Sequence, residues 1–128
     1  MSRPDRDLLE EAVFRVVEAI PPGRAAAYST VGQVVGTGAR QVGRLLSQAG
    51  APLPWWRVVN VRGELPPDLI ARARLHWEAE GTARRAGTAP ELGLDPRRLL
   101  SPEELARLAE PSLAELSQLS QADTGACD

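Results

Sequence analysis

The chain has 128 residues, enough for one domain with its own core, and its 15 basic against 17 acidic side chains give a formal charge of −2, which argues against an indiscriminate polyanion binder. The single cysteine, Cys127, excludes an internal disulfide, and with only one histidine beside it a metal has almost nothing to bind, so no metal or cofactor is expected. No run of about 18 apolar residues occurs, and the charged opening MSRPDRDLLEE lacks the apolar stretch of a secretory leader, so a cytoplasmic location is expected.

The first predicted element is an amphipathic helix over Asp5–Ile20, where Leu9, Ala12, Val13, Val16, Val17 and Ile20 recur at helical spacing. Pro21-Pro22-Gly23 ends it. In STVGQVVG, Ser29 or Thr30 reads as the cap of a short second helix, with Gln33 completing a capping box to Thr30 and Gly36 as the stop. ARQVGRLLSQAG follows as a third helix, with Val42, Leu45, Leu46 and Ala49 on one face and Gly50 closing it. Two short helices across a Gly-containing turn are the pattern of a helix-turn-helix, here a loose one.

Next comes LPWWRVVNVRG, Leu53–Gly63, which spends two of the five aromatics of the chain on one dipeptide. Trp56–Val61 reads as a short strand rich in β-branched residues, closed by a turn at Arg62-Gly63. Pro66-Pro67-Asp68 opens a helix reaching about Glu80, with Gly81 as stop, and Thr82–Leu94 reads as a loop. Ser101-Pro102-Glu103-Glu104 has the cap, the early proline and the first-turn acids of a helix start. That helix is expected to end near Glu110, ahead of Pro111, and the polar stretch SQLSQADTGACD to fray.

Charge is unevenly spread. Between Gly23 and Arg85 nine arginines face four acids, whereas Ala86–Asp128 holds three arginines and eight acids. A basic middle between acidic flanks can meet phosphates whatever the total charge, although a solvated surface gives the same tally.

The landmarks Ile20-Pro21-Pro22-Gly23, Tyr28-Ser29, Gly38-Ala39-Arg40-Gln41-Val42-Gly43, Pro54-Trp55-Trp56-Arg57-Val58-Val59 and Glu80-Gly81 occur in one order. Together they resemble the C-terminal DNA-binding domain of the O6-alkylguanine-DNA alkyltransferases, over roughly Leu8–Gly81. The implied fold is mostly α, a winged helix-turn-helix-like DNA-binding domain with a short β-strand or hairpin, plus a C-terminal helical tail. The expected domains are residues 1–85, alkyltransferase-like, and 86–128, an acidic extension.

In that family Pro-Cys-His-Arg-Val carries the cysteine that takes the alkyl group, and Pro54-Trp55-Trp56-Arg57-Val58 stands in its place. Transfer needs an activated thiolate, and an indole offers only a donor N–H. Cys127 lies outside the matched stretch, so the chain is expected not to be an enzyme and to have no catalytic residue. A tryptophan at the cysteine position is what the alkyltransferase-like branch shows. The resemblance then implies a sensor that flips O6-alkylguanine out of duplex DNA through the minor groove, holds it unrepaired and flags it for nucleotide excision repair.

By the same resemblance Tyr28, Trp55 and the backbone of Val58 would line the lesion pocket. Arg40, at the start of the recognition helix, would fill the gap left by the flipped base; a guanidinium is planar, charged and able to stack. Ser29, Thr30 and Arg44 are candidates for DNA backbone contacts. Trp56, Arg57 and Glu80 would support the site, Trp56 by packing where the family histidine joins the cysteine to a buried glutamate. The partners implied are double-stranded DNA containing O6-alkylguanine and nucleotide excision repair proteins, with the chain a monomer. Two departures bear on the pocket. Glu64-Leu65-Pro66-Pro67-Asp68 replaces the family's Gly-rich loop, and Gly50-Ala51-Pro52 lacks its asparagine. The other readings are a winged-helix regulator that reads sequence in the major groove and an alkyltransferase using Cys127.

Overall fold

The computed structural model describes residues 3–49, 52–87 and 93–126. Five helices dominate: α1 (Arg3–Ala19), α2 (Tyr28–Val35), α3 (Ala39–Ser47), α4 (Pro67–Glu80) and α5 (Pro102–Ala126). Two strands of two residues each, β1 (Ala26–Ala27) and β2 (Val58–Val59), form a parallel pair in the register Ala26 to Val58 and Ala27 to Val59. The expected mostly helical architecture is the observed one.

The core has two parts. In the first, the apolar stripe of α1 (Val13, Val16, Val17, with Ile20 just beyond) meets Val31 of α2, Val42 and Leu45 of α3, and Leu100, Leu105 and Ala109 from the C-terminal end. In the second, Ile70, Ala73 and Trp77 of α4 close over Ala25, Val59, Leu65 and Leu94. Residues beyond 85 therefore supply apolar side chains to both parts, so the acidic extension shares the core.

The turn between α2 and α3 is tight. The amides of Gly36 and Thr37 both donate to the Gly32 carbonyl at 2.7 Å, and Gly36 adopts φ +88°, the left-handed conformation expected of a helix stop. A Cβ on Gly32 would collide with the Thr37 carbonyl. The start of α2 differs from the sequence expectation. Its N-cap is Ala27, with no side-chain cap, and Ser29 and Thr30 lie inside the helix. The Thr30–Gln33 capping box does not form because the Ala27–Val59 pairing sets where the helix begins, one residue before Ser29.

The expected strand Trp56–Val61 is also corrected. Trp55–Arg57 is a turn of 3₁₀ helix, with the Arg57 amide donating to the Pro54 carbonyl at 3.0 Å, and only Val58–Val59 is extended. The Asn60 side chain ends the strand: its Oδ1 accepts from the Arg62 and Glu64 amides, both at 2.9 Å. Gly63 at φ +80° completes the turn, as read from sequence. No hairpin forms here, because β2 pairs in parallel with β1.

The cap of α5 is as expected. The Glu104 amide donates to Ser101 Oγ at 3.1 Å, and the Ser101 amide donates to Glu104 Oε1 at 2.9 Å. Its length is not: the helix passes Pro111 and continues to Ala126. Proline removes one amide and crowds the carbonyl four residues back. Both Pro111 and Arg107 lie on the exposed face, where water can take over that carbonyl, while Leu105 and Ala109 hold the inner face on α1. Arg15 of α1 clamps the next turn, reaching the Ser112 carbonyl at 3.0 Å and Glu115 at 2.7 Å. Within the expected Thr82–Leu94 loop, Arg84 and Leu94 form an antiparallel bridge. The helix stop expected at Gly50 and the lone Cys127 lie outside the described residues.

Candidate functional site

Pro54 starts the 3₁₀ turn that carries Trp55, Trp56 and Arg57, and α4 supplies the side chains beneath it. Trp77 of α4, wholly buried, donates its indole N–H to the Trp56 carbonyl at 2.7 Å and fixes the turn from below. Trp56 donates its own N–H to Glu80 Oε2 at 3.0 Å. Arg57 forks onto the same carboxylate, Nε to Oε1 at 3.1 Å and Nη2 to Oε2 at 2.7 Å, and its Nη1 caps the Ile20 carbonyl at 2.9 Å. The Gly23 amide adds a longer bond to Glu80 at 3.4 Å. Three landmarks distant in sequence, the Ile20–Gly23 corner, the Trp-Trp-Arg turn and Glu80, thus meet at one carboxylate.

Glu80 remains ionised in this setting. Burial alone pushes its pKa up, but the hydrogen bonds from Arg57, Trp56 and Gly23, with the charge of Arg57, outweigh burial and hold it below the usual carboxylate range. Bidentate pairing suits the planar guanidinium. The expected support trio Trp56, Arg57 and Glu80 is therefore in contact, and Trp56 contributes a hydrogen bond as well as packing.

Above the turn lies an aromatic cluster. Trp55 stands edge-on to Trp56, with ring centroids 5.8 Å apart and planes at 85°. His76 of α4 stacks flat on Trp56 at 3.7 Å and 8°, and meets Trp55 edge-on at 6.1 Å. The Arg72 guanidinium lies over the Trp55 ring at 5.3 Å. The sequence reading named neither His76 nor Arg72 as a site residue. A signal for His76 existed: it is four residues before Glu80, so the two share a face of α4.

Trp55, Trp56 and His76 line a cavity of about 660 Å³, whose other walls come from Leu46 and Ala49 near the end of α3, Pro52–Pro54, Arg57 and Glu18. Among the described residues, Tyr28, Arg40 and Val58 do not line it. Tyr28, the first residue of α2, is half-buried against both parts of the core, and burial raises its hydroxyl pKa. Val58 is a correction. It is fully buried in the β1–β2 pair and exposes no surface to a pocket.

Arg40 is the second residue of α3 and Arg44 follows one turn later, so the two share an exposed face while Val42 and Leu45 point into the core. Among the described residues neither guanidinium has an ion pair or hydrogen bond, in contrast to Arg57 and Arg15. Ser29 is exposed and Thr30 half-buried in the first turn of α2. Neither caps the helix, so both hydroxyls are left over from that duty.

Residues 9–82 match the family model of the 6-O-methylguanine DNA methyltransferase DNA-binding domain. The chain belongs to this family. The matched stretch differs by one residue at each end from the Leu8–Gly81 span in which the landmarks fall, and it leaves α5 outside. Within the methyltransferase family, the chain is similar to a DNA base-flipping protein of Escherichia coli, 40% identical over 82 residues that make up 59% of this chain and 63% of the relative. A DNA base-flipping protein of Vibrio parahaemolyticus is 35% identical over 75 residues, 54% of this chain and 75% of that one. The chain thus spans less than two thirds of the Escherichia coli relative. Among solved structures, S. pombe Atl1 in complex with damaged DNA containing O6-carboxymethylguanine superposes with a TM-score of 0.63 at 28% identity, covering 75% of this chain and 97% of Atl1. A second S. pombe ATL–DNA complex gives 0.62 at 28% identity, covering 79% and 100%. Helices α2 and α3, with the exposed Arg40 and Arg44, lie within the stretch matched by this DNA-binding domain model.

Proposed function

We propose that this protein is a non-enzymatic reader of O6-alkylguanine in duplex DNA, which turns the damaged base out of the helix and holds it. One observation carries the proposal: at the position where the family resemblance expects the alkyl-accepting cysteine, Trp55 forms a wall of the 660 Å³ cavity. An indole cannot act as the thiolate that transfer requires. It can present a flat apolar face, and stacking a base on an aromatic ring is worth about 1–3 kcal/mol. Unstacking costs a few kcal/mol and least for a base that pairs badly. Each buried CH₂ of the adduct adds about 0.8 kcal/mol. Selectivity follows from the last two differences.

The other residues take the roles that the family resemblance implies. Arg40, exposed at the start of α3 and without an ion pair among the described residues, fills the space left in the stack. Tyr28 borders the turned-out nucleotide, and Arg44, Ser29 and Thr30 serve the phosphates. Trp56, Arg57 and Glu80 hold the turn that carries Trp55. The held lesion is then a mark for nucleotide excision repair, and the protein acts as a monomer. The similarity to DNA base-flipping proteins and to Atl1 on damaged DNA supports this reading.

The test uses tryptophan fluorescence and gel shifts with duplexes that are identical except for one O6-methylguanine. The lesion duplex is expected to bind at least tenfold tighter, and a labelled methyl group is expected to stay on the DNA. Equal affinity for the two duplexes, or label on the protein, would overturn the proposal.

A further inference from the structure

His76 carries an inference of its own. It is the one histidine of the chain and lies on the cavity wall in contact with both adjacent tryptophans. One face of the imidazole is covered by Trp56 at 3.7 Å, so the ring is held in plane. Its edge, where both nitrogens sit, makes no hydrogen bond among the described residues. Two of the neighbouring polar groups are engaged: the Trp56 N–H is bound to Glu80, and Arg57 to Glu80 and the Ile20 carbonyl. Most of the remaining wall is apolar, from Leu46, Ala49, Leu53, the prolines and Trp55, and Glu18 and Arg57 are its other ionisable groups.

We propose that His76 is a specificity-determining residue: its edge hydrogen-bonds a polar group on the O6 substituent, so the cavity prefers hydroxyl- or carboxyl-bearing adducts to saturated ones of equal length. This rests on the reading that the Trp55 cavity receives the lesion. An apolar pocket separates ligands differing by a methylene only weakly, whereas a polar group placed in its wall discriminates against the ligand that leaves it unpaired. A single neutral hydrogen bond corresponds to a preference of about three- to tenfold.

The experiment compares three duplexes that carry guanine, O6-propylguanine or O6-(2-hydroxyethyl)guanine at one position, against the parent protein and His76→Phe. Phenylalanine keeps a flat ring on Trp56 and removes both nitrogens. The parent is expected to bind the hydroxyethyl duplex about three- to tenfold tighter than the propyl one. His76→Phe is expected to bind both lesions equally. A parent without that preference, or a Phe variant that keeps it, would overturn the inference while leaving lesion reading intact. Lesion duplexes bound no better than the guanine duplex would sink both. In the unaltered protein, nitrogen NMR of the single imidazole provides a second readout: its shifts should change with the hydroxyethyl duplex and not with the propyl one, and equal responses would count against the assignment.

Discussion

Replacing Glu80 by alanine should destabilise the fold strongly. The carboxylate accepts two bonds from Arg57, one from Trp56 and a longer one from the Gly23 amide. The side chains of Arg57 and Glu80 retain 15% and 14% of their exposure, so the pair is largely shielded. Removing one partner of a buried pair costs about 3–5 kcal/mol, because the other charge is left stranded. Arg57 keeps its bond to the Ile20 carbonyl and some contact with water, which places the expected loss near the lower end, about 3 kcal/mol. For a domain of this size that is a fall in Tm of roughly 10 °C. Urea unfolding followed by far-UV circular dichroism measures it, with the slope unchanged between parent and variant. The double variant Arg57→Met/Glu80→Leu should recover most of the loss, since no charge is then left unpaired. The pH dependence supplies a second check. The folded-state pKa of Glu80 is lowered, so its contribution is fully present above the unfolded-state value of about 4.3 and is lost as pH falls through the folded value. The parent should therefore lose stability on acidification that Glu80→Ala does not lose. A Glu80→Ala loss below about 1 kcal/mol would refute the claim that this carboxylate ties the corner, the turn and α4 together.

Three further outcomes are expected. Arg40→Ala should weaken lesion binding at least tenfold yet leave Tm within about 1 °C, because the side chain is exposed and has no partner among the described residues; titrations and melting curves of one preparation check both. Gly32→Ala should cost about 2 kcal/mol or more, since the new Cβ meets the Thr37 carbonyl across the α2–α3 turn and backbone must move, as read by urea unfolding. Pro111→Ala should raise stability by about 1–2 kcal/mol: an interior proline costs a helix about 3 kcal/mol, and part of the gain is offset by a freer unfolded chain. An unchanged or lower Tm would show that α5 is not one continuous helix in solution.

The sequence was informative where a local rule and the tertiary structure agree. The apolar stripe of α1, the left-handed stop at Gly36 and the Ser101–Glu104 capping box follow from spacing and chemistry within a few residues, and each is present. It misled where distant packing decides. The start of α2 is set by pairing with Val59, so a good capping residue at Ser29 is passed over. Two alanines carry no alternation from which β1 could be read. Helix α5 crosses Pro111 because Arg15, some hundred positions away, and the wall of α1 hold its inner face. At the site, the Arg57–Glu80 pair was legible through landmarks, whereas a lone histidine has no motif and His76 could be found only through its spacing from Glu80 on α4.

On the proposed reading, a site that gives up covalent chemistry need not give up the network around it. Glu80 ties the Gly23 corner and the Trp56–Arg57 turn to α4, so deleting it would cost the fold whether or not a nucleophile stood nearby. Trp56 satisfies that carboxylate with an N–H at 3.0 Å, as any donor of the right reach can. With the support retained, the position of Trp55 is fixed by the turn rather than by any reaction, and a broad indole there cannot drift away from the cavity. On the proposed reading, holding a damaged base demands such a rigid wall: a ring that moved would spend stacking energy on its own ordering instead of on the nucleobase. His76, flat against Trp56 and edge-on to Trp55, adds stiffness from the side of α4, and it does so with a ring whose edge still has hydrogen bonds to give.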